Sequence, residues 1–256
     1  MVLKTKFNAS SVLSRRIVLV GAGLGGMAAL LYSPGVRRLI EAPFNFKPVT
    51  GLEGFRRLNG GDVTSANFAT IGLDSSETTG ISPALVCQNL FLEKPQAGQV
   101  PVAYFSDSRC AYCRVLSPLL HELQQTEPIA ITWHELPLFG QTSQRAAMAA
   151  QAAQRQGAYW TFHDRLMGTP FVANDAYLRQ LALDAGIDAD KLLRDMTSAE
   201  VTNQIEMSKA LAGAFGFVGT PAMVIGRTAI LGVVDERTIR RLVQDELNAT
   251  EPGPCA

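Results

Sequence analysis

Phe105-Ser106-Asp107-Ser108-Arg109-Cys110-Ala111-Tyr112-Cys113-Arg114 decides how the rest of the chain is read. Just before it, Val102-Ala103-Tyr104-Phe105 is a short apolar run with aromatic content, the pattern of a buried strand. After it, Val115, Leu116, Leu119, Leu120 and Leu123 recur at helical spacing, and the helix is expected to stop before Pro128. Ile129, Ile131 and Trp133 then alternate with Ala130, Thr132 and His134, which reads as a second strand. Strand, CxxC, helix, strand puts both cysteines in the first turn of the helix of a βαβ unit. In an open α/β sheet, functional groups gather at that end of the strands.

Chemistry follows from that position. Free N–H groups and the macrodipole at a helix N-terminus favour an anion. The thiolate is the nucleophile, and such sites lower a cysteine pKa from about 8.5 to between about 3.5 and 7. Cys110 is therefore expected to be an accessible, easily ionised nucleophile. Cys113, one turn on and less exposed, is placed to close a disulfide with it. A substrate thiolate would attack the oxidised pair to give a mixed disulfide on Cys110, and a second substrate thiol would resolve it. Two blander readings compete, half a zinc site and a structural disulfide. No second CxxC or His pair lies near enough to complete a zinc site.

Composition limits the alternatives. The chain has 256 residues, 47% hydrophobic and 18% charged, enough apolar material for a sizeable core. Lys+Arg and Asp+Glu both number 23, so the formal net charge is zero. Bulk attraction to nucleic acid or an anionic membrane is thereby excluded as its business. No metal and no cofactor is expected. A flavin or nicotinamide enzyme would show colour or retained cofactor after purification.

The amino terminus reads as an address. Lys4, Lys6, Arg15 and Arg16 precede an uncharged run from Ile17 to Val36. Ser14-Arg15-Arg16-Ile17-Val18-Leu19 resembles the twin-arginine export motif. Gly21-x-Gly23-x-x-Gly26, taken alone, is a dinucleotide fingerprint with Glu41 near the acidic position. Pro34-Gly35, Pro43 and Pro48 deny it the long helix and second strand a Rossmann unit needs. Cleavage is open, because Ser33-Pro34-Gly35 is a weak site and the run is long enough to anchor in a bilayer.

Downstream, Phe215 to Gly226 holds Gly219-Thr220-Pro221 before Ala222-Met223-Val224-Ile225. Gly226-Arg227 suits a turn into Thr228-Ala229-Ile230-Leu231, and Asp235 is a candidate N-cap for a last helix. Cys110 and Pro221 are too far apart for one crossover helix. The intervening chain reads as helices: an Ala/Gln-rich stretch from Gln144 to Met167, then Asp175–Ala185, Asp188–Met196 and Glu200–Ala214. Thr197-x-x-Glu200 reads as a capping box for the last.

Three patches together resemble the DsbA-type thiol:disulfide oxidoreductases of the thioredoxin superfamily. They are Phe105 to Arg114, Leu136-Pro137-Leu138-Phe139-Gly140 with Gln156 to Asp164, and Gly219-Thr220-Pro221. The resemblance covers about Pro101 to Leu247. It implies an α/β thioredoxin-like fold with an inserted α-helical domain, preceded by an N-terminal signal or anchor helix. The expected layout is 1–36 signal or anchor, 37–99 extension and start of the domain, 100–140 and 215–250 thioredoxin-like, and 141–214 helical insertion. The insertion would cover part of the site and offer an apolar groove to unfolded substrates.

By the same resemblance, Thr220-Pro221 is a cis peptide facing Cys110, baring backbone groups of Thr220 for an extended substrate chain. His163 is structural by the family pattern. Implied partners are unfolded or reduced proteins and a membrane redox partner that resets the CxxC, in the periplasm. One departure matters: Ala111 stands where the family often has proline, which puts the strength of oxidation in question. Thr220 and Tyr112 are further tuning candidates. The same fold also serves disulfide reductases and isomerases, and a binding module with a structural CxxC is a third reading.

Other residues carry two readings each. Asp107 either shuttles protons or caps the turn. Arg109 and Arg114 either favour the thiolate or solvate the rim. His121 and His134 are expected to be solvated or satisfied. Cys87 and Cys255 are left over, and in an oxidising compartment leftover cysteines tend to pair. The alternative is a free Cys255 on a mobile end.

Overall fold

The computed structural model describes residues 43–64, 81–169 and 173–255. The leader and its glycine fingerprint lie outside these. The chain divides into two units at Asn45/Phe46, and the second, Phe46–Ala256, holds the fold and the site. Its elements in order are β1 (Lys47–Pro48), β2 (Arg56–Asn59), α1 (Pro83–Leu90), β3 (Val100–Ser106), α2 (Ala111–Thr126) and β4 (Ile129–Glu135). They continue with α3 (Gly140–Gln154), α4 (Tyr159–Gly168), α5 (Asp175–Asp184), α6 (Ala189–Asp195), α7 (Ala199–Ala214), β5 (Ala222–Ile225), β6 (Thr228–Leu231) and α8 (Glu236–Leu247).

One mixed sheet of order β1-β2-β6-β5-β3-β4 runs through the unit. β3 lies parallel to β4 and antiparallel to β5, with Phe105 opposite His134 on one side and Ala222 on the other. Val102 to Ser106 are all buried, as an interior strand covered on both faces requires. The register brings the ends of β3 and β5, and so Cys110 and the Thr220-Pro221 turn, to the same edge of the sheet. This is a thioredoxin-like fold with the helices α3 to α7 inserted between β4 and β5.

Two apolar clusters hold it. Under the sheet, Phe55, Phe105, Phe215 and Phe217 join Val86, Leu90 and Val224. Phe215 meets Phe55 edge-on at 5.0 Å and stacks on Phe217 at 5.5 Å. The second cluster belongs to the insertion, where Ala146, Ala149, Ala150 and Ala153 of α3 pack with Phe162, Leu178 and Leu192. Small side chains let these helix axes approach closely, so the Ala and Leu faces are core.

Two local expectations are corrected. The Gln144–Met167 stretch is two helices, because Gly157 takes a left-handed φ of +74° and turns the chain between α3 and α4. The cap of α7 is Ser198, whose hydroxyl accepts from the Val201 N–H at 3.3 Å. Thr197 instead donates back to the Arg194 carbonyl. The 37–99 stretch contributes β1 and β2 to the sheet. β2 pairs parallel with β6, Arg56 opposite Thr228 through Asn59 opposite Leu231. Cys87 of α1 and Cys255 of the C-terminal tail form a disulfide across 168 residues.

Candidate active site

Cys110 is the N-cap of α2. Its backbone is extended (φ −76°, ψ 119°), and its Sγ accepts from the Cys113 N–H at 3.2 Å. The cap position explains why the sulfur faces the orphan N–H groups of the first turn. The thiol reaches two further oxygens, the Thr220 carbonyl at 3.3 Å and the Thr64 Oγ1 at 3.4 Å. The Thr220-Pro221 peptide bond is cis. Thr220 Oγ1 is buried with no other partner, leaving its hydroxyl free to turn to the sulfur.

These groups push the two thiols apart. The Cys110 pKa is lowered to about 6, first by the hydrogen bond from the Cys113 thiol. Burial opposes that, and the Thr220 and Thr64 side chains and the Cys113 N–H then add to it. Cys113 moves strongly the other way, first because burial disfavours its charged form and then because of Cys110. The pair is thus asymmetric, one sulfur set to be a thiolate and one held as a thiol.

The spacing alone leaves Cys110 open to solvent and Cys113 beneath it. In the structure both are 0% exposed. Met167 of α4 and Phe139 pack against the two sulfurs, so the insertion does reach the site. Thr64 and Thr220 close the remaining sides described. Ala111 and Tyr112 stay at the surface, with Tyr112 38% exposed.

Asp107 is buried and its carboxylate accepts three hydrogen bonds. Oδ1 takes the Arg109 N–H at 2.8 Å and the Ser143 hydroxyl at 2.7 Å, and Oδ2 takes the Leu138 N–H at 2.6 Å. It fastens the turn before Cys110 to the start of α3. Burial raises its pKa, against those three donors. Arg114 donates to the carbonyls of Ser108 and Thr169, clamping the rim.

The histidines are satisfied. His121 stacks on Trp160, ring centroids 3.7 Å apart. His134 is buried between Ser208 and the Leu90 carbonyl, and burial lowers its pKa to about 4. His163 is buried with Nδ1 2.9 Å from Glu135 Oε1 and Nε2 3.1 Å from Ser117 Oγ. Ser117 in turn donates to the Tyr104 hydroxyl. Tyr104 is kept a phenol, first by burial and then by the nearby Cys113.

Thr64, Ser117 and Glu135 are the site residues that sequence reasoning passes over. Ser117 is one turn past Cys113 on the buried face of α2, a signal that helical spacing contains. Thr64 carries no such signal. Among the described residues no cluster of His, Cys, Asp and Glu suits a metal ion.

Known proteins with this pattern are consistent with the geometry. Residues 101–244 match the family model described as DSBA-like thioredoxin domain. A thioredoxin-like oxidoreductase from Silicibacter pomeroyi DSS-3 is 36% identical, with a TM-score of 0.56 over 59% of this chain and 88% of that one. The thiol-disulfide exchange protein alpha-DsbA2 from Wolbachia pipientis shares the fold at 21% identity, with a TM-score of 0.58 over 70% and 98%. The Na(+)/H(+) antiporter NhaA 3 of Salinispora tropica is 28% identical over 134 residues, 51% of this chain. The chain spans only 21% of that protein's length.

Proposed function

The chain belongs to the DSBA-like thioredoxin domain family, and from that premise we propose that it is an exported thiol:disulfide oxidoreductase that oxidises protein thiols. In the oxidised enzyme a substrate thiolate attacks Cys110 Sγ. The Cys110–Cys113 bond breaks and Cys113 leaves as a thiolate, which takes up a proton. A second substrate thiolate then attacks the substrate sulfur of the mixed disulfide and releases the Cys110 thiolate. Two electrons pass from substrate to the CxxC, and a membrane redox partner would remove them.

The observation that carries this is the place of Cys110 at the N-cap of α2, its Sγ accepting the Cys113 N–H at 3.2 Å beside the cis Thr220-Pro221 turn, with the Cys113 thiol lowering its pKa to about 6. A stabilised thiolate makes the reduced form more stable and the disulfide more oxidising. Export is supported by the leader's resemblance to a twin-arginine signal and by the Cys87–Cys255 disulfide. Polypeptide substrates are supported by exposed apolar side chains within two residues of site residues in sequence: Tyr112, Val63 and Val218. The boundaries 1–36, 37–99, 100–140 with 215–250, and 141–214 are part of the proposal, with β2 counted in the thioredoxin-like part.

A reductase or isomerase is the second reading, and one observation favours it. A pKa of about 6 lies nearer to the value of about 7 for thioredoxin than to about 3.5 for a strong oxidase. Ala111 in the CxxC points the same way. Equilibration with glutathione separates the two. The oxidase reading expects a potential clearly above thioredoxin's, which is about −270 mV, and towards the range of about −180 to −120 mV. A potential at or below thioredoxin's would make the protein a reductase.

A further inference from the structure

Thr64 and Thr220 face each other across an antiparallel bridge. The Thr64 N–H donates to the Thr220 carbonyl at 2.8 Å, and the Thr220 N–H donates to the Thr64 carbonyl at 3.0 Å. Both backbone groups before the proline, the pair that an extended substrate would need, are therefore taken by the chain itself. The Thr64 side chain then points at the reacting atom, with Oγ1 3.4 Å from Cys110 Sγ. Replace that oxygen by sulfur and the residue has the position of a substrate cysteine about to exchange.

The route to this position is built. From β2 the chain runs along the end of β6, where Gly61 N–H donates to the Val233 carbonyl and Val233 N–H to the Asp62 carbonyl. A Cβ at Gly60 would lie 2.1 Å from the Leu231 carbonyl oxygen, and one at Gly61 2.7 Å from that of Val233. On the facing side Gly232, at φ +101°, would put a Cβ 2.3 Å from the Gly61 oxygen. Only glycines let the two backbones approach this closely. Three of them steer Asp62, Val63 and Thr64 onto the Thr220 loop.

We infer that Asp62–Thr64 is an internal stand-in for the substrate main chain. It rests on the thiol–disulfide reading of Cys110 and adds a regulation to it. The segment occupies the docking edge and seals the nucleophile, so a cysteine-bearing polypeptide binds only the fraction of molecules in which it has swung away. Apparent affinity is reduced by that fraction. Extended chains able to replace both backbone hydrogen bonds compete best, and a folded protein with a recessed thiol competes poorly.

Two variants of the full-length protein test this. Gly60→Ala pushes the segment off β6 while leaving every group that touches Cys110 chemically intact. Losing two backbone hydrogen bonds is expected to raise iodoacetamide alkylation of Cys110 about tenfold at pH 9, where its thiolate is fully formed, and to lower the KM for a cysteine-bearing peptide about tenfold. Unchanged alkylation and KM in a folded variant would overturn the inference.

The second variant leaves the glycines that steer the segment unchanged. Thr64→Cys is combined with Cys113→Ser and treated with oxidised glutathione. Cys110 thiolate attacks glutathione disulfide and releases one glutathione. The thiolate at position 64 then attacks Cys110 Sγ and releases the second, leaving a 64–110 disulfide. Proximity should drive more than about half of the molecules to that cross-link by peptide mapping. Glutathionylated Cys110 with a free thiol at position 64 would refute the stand-in while leaving the nucleophile proven. A Cys110 that never takes up glutathione would instead refute the underlying reading.

Discussion

Cys110→Ser is expected to lower thiol–disulfide exchange by about a thousandfold or more. A hydroxyl cannot be half of a disulfide, and at neutral pH it forms almost no alkoxide. The fold should survive, because serine is a favoured N-cap and its oxygen can accept the Cys113 N–H that the sulfur now takes at 3.2 Å. The variant should therefore keep its circular dichroism while losing insulin reduction and peptide oxidation alike. Undiminished activity in either assay would remove the proposed nucleophile and leave the CxxC as a structural feature.

Cys113→Ser should behave differently. Run in reverse, from a peptide disulfide, the exchange begins with Cys110 alone, so the reduced variant still attacks it. In that direction Cys113 resolves the mixed disulfide, and without it the adduct on Cys110 should persist about a hundredfold longer than in the wild type. Mass spectrometry of an acid-quenched reaction reads this directly. The variant's serine hydroxyl can still donate to the Cys110 thiolate in place of the thiol that does most to lower the Cys110 pKa, so the alkylation profile should stay close to that of the wild type. A short-lived mixed disulfide in this variant would mean that another group resolves it.

Much of the site was legible because its parts are local. The CxxC sits between an apolar strand and a helix of clear period, and helix-start chemistry follows from that placement. The last strand pair and helix were equally plain, with Asp235 capping α8 by accepting from the Thr238 N–H. Long-range pairing was not legible. β2 reads Arg56-Arg57-Leu58-Asn59, with no alternation to mark a strand. It is held instead by its guanidinium heads. Arg56 donates to Thr228 and pairs with Glu246, and Arg57 donates to the Phe215 carbonyl. A strand stabilised by charged side chains from distant elements leaves little trace in hydrophobic periodicity.

Burial of Cys110 was hidden for the same reason. Position within a motif fixes the cap, but not which segment arrives from elsewhere to cover it. Thr64 stands 46 residues upstream of the cysteine and looks like an ordinary loop threonine until the glycines around it are seen to graze β6. Asp107 is a milder case. Spacing left proton shuttle and turn cap equally open, and three hydrogen bonds onto its carboxylate support the cap.

Ionisation of Cys110 carries the whole account, and its pH dependence has a definite sign. A pKa lowered on folding stabilises the reduced protein in full above the usual thiol value of about 8.5, and that stabilisation is lost as pH falls through about 6. The oxidised protein lacks the titrating group, so the stability of the reduced form relative to it should narrow over the same window. Thiolate absorbance near 240 nm, followed from pH 4 to 9 on reduced wild type and on Cys110→Ser, measures this most directly. The expected result is one thiolate appearing with a midpoint near pH 6 in the wild type and absent from the variant. A wild-type protein with no thiolate below pH 8 would contradict the claim that this sulfur is prepared for exchange.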